Sequence, residues 1–154
     1  MKLLVVSDSH GNSAALQRIV DGEKPFDLLV HCGDGITDLE RVSLPGDAVI
    51  VLVQGNIDRA RGVHAETERV LTPGGHRILV THGDGQEAHR DYLGLIDAAK
   101  ALRCEAVLFG HTHTAYLSRG NPVLFNPGPA QRGQYGVVVA GDTLEFYRKR
   151  REEA

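Results

Sequence analysis

The chain has 154 residues, of which 42% are hydrophobic and 24% are charged, and its formal net charge at pH 7 is -3. These values predict one globular domain with a single core, and they exclude a disordered chain and a global basic field for nucleic acid or an anionic membrane. No apolar stretch approaches the roughly 20 residues of a membrane-spanning helix, and the chain starts directly on a strand-like run without a leader pattern, so we expect a cytoplasmic protein with no membrane partner.

The predicted elements alternate between strands and helices through the first two thirds of the chain. The hydrophobic run over 2–6 predicts a buried parallel strand, and Asn12 or Ser13 can cap a helix that runs to about Asp21 and ends at Gly22 and Pro25. Strands are predicted from 27 or 28 to 32 and over 48–53, with a short helix over 37–42 between them. Strands over 68–72 and 76–81 flank a hairpin signature, 87–102 is the longest helical pattern, and 106–109 is the next strand.

The last third of the chain changes character. Short strands are predicted over 114–118, 123–126, 134–140 and 143–148, separated by Gly, Pro and Asn turns. The whole pattern therefore predicts an α/β fold with an antiparallel-rich end, in which two packed sheets with flanking helices would fit.

Metal-ligating residue types follow five successive hydrophobic runs. In chain order these residues are Asp8 and His10, then Asp34, then Asn56, then His82, and finally His111 and His113. The spacing of Asp8 and His10 places both side chains on the same side of a strand end. Because the functional crevice of an open α/β sheet lies outside the carboxyl ends of its strands, we expect all five groups to open onto it.

The donor types indicate a transition-metal site. Two carboxylates, one amide and four imidazoles exceed the usual tetrahedral zinc set and suit two divalent ions. Manganese is the expected metal, nickel, iron, cobalt and zinc also fit, and an all-oxygen calcium or magnesium cage is disfavoured. Each motif alone is more often a structural turn, so the prediction depends on their joint occurrence at strand ends.

In this order the motifs resemble the signature of the calcineurin-like metallophosphoesterases. The motifs are Asp8-x-His10, Gly33-Asp34, Gly55-Asn56, His82-Gly83 and Gly110-His111-x-His113, and the SDSHGN opening and the FNPG segment at 125–128 are similar to small YfcE-type phosphodiesterases. The resemblance implies a single domain over 1–154, folded as a four-layer sandwich of two mixed β-sheets flanked by helices. It also implies that one metal is held by Asp8, His10, Asp34 and His113. The other would be held by Asp34, Asn56, His82 and His111, with Asp34 bridging.

The resemblance implies an enzyme that hydrolyses a small phosphodiester by a metal-bridging hydroxide. Asp34, Asn56 and His82 are the expected catalytic residues, and relatives suggest a homodimer or homotetramer. Two alternatives stay open. One is a metal-dependent phosphomonoesterase or nuclease, although the acidic balance argues against nucleic acid as a partner. The other is a non-catalytic protein-interaction scaffold of the same fold, which the complete donor set disfavours.

One departure from the family pattern bears on the substrate. Many relatives have a histidine after the Gly-Asn pair that is thought to protonate the leaving group, and this chain has Ile57 there. General acid catalysis contributes about 10²–10⁴-fold, so its loss should penalise alkyl phosphomonoesters more than diesters with a good leaving group. A second departure is Asp84, which stands after His82-Gly83 where relatives often have another histidine.

Four further residues are candidates for supporting roles. Asp58 is expected to orient a metal ligand, and His89 is a spare candidate for the proton donor. Asn12 is expected to cap the first helix or to contact the substrate phosphate, and Asn126 is expected to shape a turn that approaches the site. We expect His31, at the end of the second predicted strand, to be a packed group rather than a ligand.

Overall fold

The computed structural model describes residues 1–152, and within that range the chain forms ten strands and three α-helices. The strands are β1 (Lys2–Val6), β2 (Leu28–His31), β3 (Val49–Leu52), β4 (Glu68–Leu71), β5 (Ile78–Thr81), β6 (Ala106–Leu108), β7 (Tyr116–Ser118), β8 (Val123–Asn126), β9 (Gln134–Ala140) and β10 (Leu144–Arg150). The helices are α1 (Ser13–Glu23), α2 (Asn56–Ala60) and α3 (Leu93–Ala101), and 3₁₀ segments cover Ile36–Arg41, Pro73–Gly75 and Ala130–Arg132.

The strands form two five-stranded mixed sheets. The first sheet has the order β10-β9-β1-β2-β3, and the second has the order β4-β5-β6-β8-β7. In each sheet three neighbouring strands run parallel, namely β1, β2 and β3 in the first and β5, β6 and β8 in the second. The hydrophobic runs of β1, β5 and β6 are buried on both faces, as central parallel strands require, whereas Val49 and Ile50 of the edge strand β3 are exposed.

Three hydrophobic clusters hold the layers together. The first lies between the sheets and includes Val5, Val30, Val80 and Leu108. A second cluster packs α1 against the outer face of the first sheet, and a third packs α3 against the outer face of the second. The layer order is therefore helix, sheet, sheet, helix, and the predicted four-layer architecture is confirmed.

Two helix predictions were wrong in their bounds, and a third helix was not predicted. The pattern over 87–102 is helical only from Leu93, because Glu87 adopts a left-handed φ of 55° and Tyr92 is the N-cap. Helix α1 continues through Gly22 and ends at Glu23, and the extended conformation of its C-cap Lys24 is the one favoured before a proline. Helix α2 was not predicted because Gly55 and Asn56 indicated only a turn.

Several other bounds differ by one or two residues. The predicted helix over 37–42 is a 3₁₀ segment at Ile36–Arg41, and β5, β7 and β10 each begin later than predicted. Such ends are the least determined part of a hydrophobic pattern, since the terminal residue of an element depends on its hydrogen bonds. No helix in the described range is long and apolar enough to cross a membrane.

A buried carboxylate ties α1 to the end of β10. Glu23 is 4% exposed, and its carboxylate accepts hydrogen bonds from Lys149 Nζ at 2.5 Å and from the Tyr135 hydroxyl at 2.7 Å, while Lys2 Nζ lies at 3.1 Å. Burial alone would raise the pKa of Glu23, but the Lys149, Tyr135 and Lys2 donors outweigh it and lower this pKa to about 2.

We expect the change Glu23→Gln to lower the free energy of unfolding at pH 7 by about 1–3 kcal/mol. Because the folded-state pKa of Glu23 is depressed from 4.5 to about 2, its contribution is complete above pH 4.5 and is lost as the pH falls toward 2. Urea unfolding of both proteins at pH 7 and pH 3 measures this difference, with the exposed Glu40→Gln as the matched control. An equal destabilisation at both pH values would contradict the prediction.

Candidate metal centre

The structure brings all seven predicted donors to the carboxyl ends of the parallel strands, where the loops are bonded to one another. Within the first sheet, Asp8 N donates to Gly33 O at 2.9 Å and His10 N donates to Asp34 O at 3.2 Å. Within the second sheet, Gly110 N donates to His82 O at 3.0 Å. These backbone bonds join the loops after β1 and β2 and, separately, those after β5 and β6, and the bond from His111 N to Asp8 Oδ2 at 3.1 Å connects the two pairs.

The backbone at this edge is held in an unusual conformation. In the described range, seven non-glycine residues have a positive φ, and five of them are predicted donors: Asp8 (54°), His10 (44°), Asp34 (63°), His111 (70°) and His113 (60°). Positive φ is uncommon for non-glycine residues, and such strain persists mainly at functional sites. Backbone geometry thus marks five of the seven residues that the motifs mark.

An outer cluster lies on the solvent side of this edge. His113 Nε2 and His10 Nε2 lie 3.2 Å and 3.3 Å from Asp8 Oδ1, and the two Nε2 atoms are 3.2 Å apart. His113 is 47% exposed and His10 is 21% exposed, whereas Asp8 is 1% exposed. Two imidazole nitrogens and one carboxylate oxygen therefore converge on one point that solvent can reach, which is an arrangement suited to a divalent cation.

An inner cluster of Asp8, Asp34 and His82 lies deeper, with all three residues buried. His82 Nδ1 lies 2.8 Å from the Cys32 carbonyl oxygen, and because a carbonyl only accepts, Nδ1 must carry the proton. The lone pair of neutral His82 is then on Nε2, 3.1 Å from Asp34 Oδ2, and Nε2 has no hydrogen-bond partner among residues 1–152. Burial would lower the pKa of His82, but contact with Asp34 and the charge of Asp8 outweigh it and raise this pKa, so without a metal the His82–Asp34 pair holds a proton at the place that a cation would take.

Asn56 and His111 complete the edge. Asn56 Oδ1 is buried and has no hydrogen-bond partner within the described part of the chain, so the first residue of α2 holds an unsatisfied acceptor. The His111 ring lies edge-on to His82, with 5.1 Å between the ring centroids. Burial and the charge of His82 lower the pKa of His111 and so favour its neutral, ligand-competent form.

The two clusters share a carboxylate. Asp8 is common to both, while Asp34 belongs to the inner one, where its Oδ2 faces His82. The other Asp34 oxygen accepts the Ile57 backbone N–H at 2.8 Å. The bridging role assigned to Asp34 stays a prediction, and Asp8 lies in the more central position of the two carboxylates.

Both carboxylates are ionised at neutral pH. Burial would raise the pKa of Asp34, but contact with His82 and the backbone donors Ile57 and Asp58 lower it to about 2. For Asp8, the hydrogen bond with His10 and the charge of His82 likewise outweigh burial, and its pKa is also lowered. The edge therefore offers two negative charges among neutral-capable imidazoles, which is the electrostatic condition for holding a cation.

Two glycines permit these close approaches. A Cβ on Gly55 would lie 2.1 Å from Asp34 Oδ1, and a Cβ on Gly110 would lie 1.9 Å from the Ser7 hydroxyl and 2.5 Å from Asp8 Oδ2. Any side chain at these positions would displace the carboxylates, so the glycines that accompany the donors in the sequence are required by space.

The structure gives Asp58 and Asn126 contacts with the ligand loops. The Asp58 carboxylate accepts four backbone N–H groups, from Asp34 at 2.7 Å, Gly55 and Gly35 at 2.9 Å, and Ile36 at 3.3 Å. Asn126 donates to Gly110 O at 3.1 Å and to the Thr112 hydroxyl at 3.0 Å. Each side chain thus fixes the loop that carries a donor, Asp34 in one case and His111 in the other.

Asn12 and His89 lie at the margins of the edge. Asn12 caps α1, accepting Ala15 N at 3.0 Å, and its amide donates to Gln131 O at 2.9 Å. Its capping role is confirmed, and a contact of the second amide N–H with substrate phosphate stays a prediction. His89 is exposed, and its ring lies 5.7 Å from that of His111 between centroids. The two rings line one depression of about 440 Å³, and the proton-donor role of His89 stays a prediction.

Sequence reasoning missed two supporting groups. Ser7 Oγ donates to Asp8 Oδ2 at 2.5 Å, and Asp38 accepts the Ser9 hydroxyl at 2.6 Å and Gly11 N at 2.9 Å. His31 is buried and bonds Ser9 Oγ through Nε2 at 3.0 Å, so its packed role is confirmed. Ser7 directly precedes a donor and could have been suspected, whereas Asp38 in a 3₁₀ segment carries no sequence signal.

Comparisons with known proteins agree with this geometry. The family model described as a calcineurin-like phosphoesterase superfamily domain matches residues 1–145. A probable metallophosphoesterase of Bacillus subtilis is 37% identical over 131 residues, which are 83% of this chain and 74% of that protein. A predicted phosphoesterase from Streptococcus pneumoniae has a TM-score of 0.74 at 24% identity, covering 94% of this chain and 87% of that one. An archaeal phosphodiesterase has a TM-score of 0.73 at 18% identity, covering 97% and 99%.

Proposed function

Because the chain belongs to the calcineurin-like phosphoesterase superfamily, we propose that it is a phosphodiesterase that uses two divalent metal ions to hydrolyse a small phosphodiester. One observation carries the proposal: within residues 1–152 the buried atoms Asn56 Oδ1 and His82 Nε2 make no hydrogen bond, and His82 Nε2 lies 3.1 Å from the ionised carboxylate of Asp34. Burying unsatisfied acceptors beside a charge is costly unless a cation completes the site.

The donors divide between the two proposed ions by depth. His10 and His113, with Asp8, would hold the outer one, and His82, Asn56 and Asp34 would hold the inner one, with the neutral His111 beside them. When bound, such ions supply water of lowered pKa as a nucleophile and offset the negative charge of the phosphate.

The chain's own residues set the geometry of this site. The Cys32 carbonyl fixes the tautomer of His82, and Ser7 Oγ and His111 N hold Asp8 Oδ2 at 2.5 Å and 3.1 Å. These contacts orient the donors before any ligand arrives, which reduces the reorganisation needed during the reaction.

A diester preference is supported by the side chain beside Asn56. Ile57 is 36% exposed at the start of α2 and has no group that can transfer a proton. The rate of hydrolysis would fall least, in the absence of a proton donor at this position, for a substrate whose leaving group needs no protonation. We therefore propose diesters with a good leaving group as the preferred substrate class. We also propose that the enzyme is a single-domain cytoplasmic protein that forms a homodimer or homotetramer.

The test is hydrolysis of bis-p-nitrophenyl phosphate by metal-free protein with and without added Mn²⁺. We expect turnover only with the metal, and elemental analysis should give two ions per chain. Turnover that needs no metal would overturn the proposal. A protein without affinity for Mn²⁺ would instead favour the scaffold role.

We expect the change Ile57→His to raise hydrolysis of an alkyl phosphomonoester by about 10-fold or more relative to the diester, since it restores an imidazole beside the donors. Rates on both substrates in the presence of Mn²⁺ measure the ratio, and Ile57→Leu is the matched control. If the ratio does not move, the diester preference does not come from this position.

A further inference from the structure

A second polar depression lies beside the metal centre and is lined by arginines. Arg18 of α1, Arg132 of the 3₁₀ segment Ala130–Arg132, and Arg150 and Arg151 at the end of β10 line a space of about 390 Å³. Three separate elements thus bring guanidinium groups to one place in a chain whose net charge is -3. Such a concentration of positive charge is electrostatically unfavourable unless carboxylates or an anionic ligand offset it.

The carboxylates of the described residues offset only half of these arginines. Arg151 NH2 lies 3.7 Å from Glu23, and Arg150 Nε lies 3.6 Å from Glu152, which is 77% exposed at the rim of the depression. Within residues 1–152, Arg18 and Arg132 have no carboxylate partner, and the buried Arg18 Nε has no hydrogen-bond partner. An exposed pair such as Arg150 with Glu152 is worth about 1 kcal/mol at most, so Glu152 can swing away at little cost.

The depression is distinct from the metal centre but shares a wall with it. Asn12 and Gln131 line it and are bonded to each other, with Asn12 Nδ2 2.9 Å from Gln131 O. Gln131 N in turn donates to the Asp8 carbonyl oxygen at 3.2 Å, and Asn12 follows His10 by two residues. Only the loop that follows β1 would therefore separate a ligand in the depression from the predicted metal ligands Asp8 and His10.

We propose that this arginine pocket binds a phosphate group of a phosphorylated ligand. Guanidinium groups match the oxygens of a phosphate through paired N–H donors, and they bind it more strongly than neutral donors do. The space exceeds that of one phosphate, so a diphosphate or a phosphorylated organic molecule fits better than a simple ion. This phosphate group belongs either to a separate effector or to a substrate that carries a second phosphate. The arginine pocket would bind such a group whether or not the metal centre is catalytic.

Binding is tested with metal-free protein, so that the metal centre cannot take the anion. Isothermal titration calorimetry with pyrophosphate at low salt should show one binding site per chain. The double change Arg18→Gln with Arg132→Gln should lower the affinity for pyrophosphate at least 10-fold. The matched control is Arg69→Gln with Arg103→Gln, two exposed arginines away from the pocket. No binding by the wild-type protein, or unchanged binding by the double variant, would overturn the proposal.

Kinetics with Mn²⁺ then distinguishes the two sources of the phosphate. If it belongs to the substrate, a diester with an extra terminal phosphate should have a lower KM than the same diester without it, and the double variant should abolish this difference. If it belongs to an effector, the pyrophosphate analogue methylenediphosphonate, kept below the Mn²⁺ concentration, should change turnover of bis-p-nitrophenyl phosphate in the wild type and not in the double variant. A failure of the proposed function would abolish turnover and leave the pyrophosphate titration intact.

Discussion

The change Asp34→Asn is expected to lower bis-p-nitrophenyl phosphate hydrolysis by at least about 10²-fold, because even an outer partner of a ligand is worth about 10–100-fold in metal affinity or activity. Asn keeps the size of the side chain, and its oxygen can still accept the Ile57 N–H that Asp34 Oδ1 accepts at 2.8 Å. What it removes is one of the two buried charges that attract a cation, so the loss should appear as weaker metal binding.

Thermal unfolding separates this effect from misfolding. A ligand that binds only the folded state stabilises it by about 2.7 kcal/mol when present at 100 times its Kd. Added Mn²⁺ should therefore raise the Tm of the wild type and raise that of Asp34→Asn less. Each shift is measured against the metal-free Tm of the same protein, because losing a carboxylate whose pKa is lowered to about 2 also lowers the metal-free Tm. The exposed Asp97→Asn on α3 is the control. A variant that keeps both the Mn²⁺-induced shift and full activity would contradict the assignment.

The change Asp58→Asn is expected to lower the free energy of unfolding by about 2–4 kcal/mol, because it disrupts charge-assisted hydrogen bonds worth about 1.5–3 kcal/mol each. Asp58 Oδ2 accepts Asp34 N and Gly55 N, and Oδ1 accepts Gly35 N and Ile36 N. Whichever way an amide is placed, its NH₂ group must face two backbone donors.

The same substitution should weaken Mn²⁺ binding by about 10–100-fold, since Asp58 holds the loop of Asp34. Urea unfolding without metal and a Mn²⁺ titration measure the two effects on one sample, and the exposed Asp47→Asn serves as the control. Wild-type stability together with lost metal binding would show that Asp58 acts on the metal centre directly and not through the loop.

The strands and the donor positions could be predicted because they depend on local patterns. The Leu and Val run of β1 can only be buried on both faces, and Asp8 and His10 follow it where a parallel strand must end. The start of α3 could not be predicted in this way.

Long-range contacts limited the prediction of the supporting groups. Asp58 was expected to orient a ligand, yet its four backbone partners come from two loops that only the fold brings together. Asp38 and the arginine pocket depend on residues far apart in the chain, and no spacing rule connects Arg18 to Arg150. Distances across the sheets therefore had to come from the structure.

The unequal depth of the two clusters has a consequence for how the protein is handled. An ion held by Asp8 with His10 and His113, both of which reach solvent, can exchange without any opening of the chain, whereas one beside buried Asp34 and His82 must wait for a local opening. Brief dialysis against a chelator should leave about one ion per chain, and longer treatment should remove the second. Preparations that differ only in their purification history would then differ in specific activity, and a short incubation with metal would equalise them.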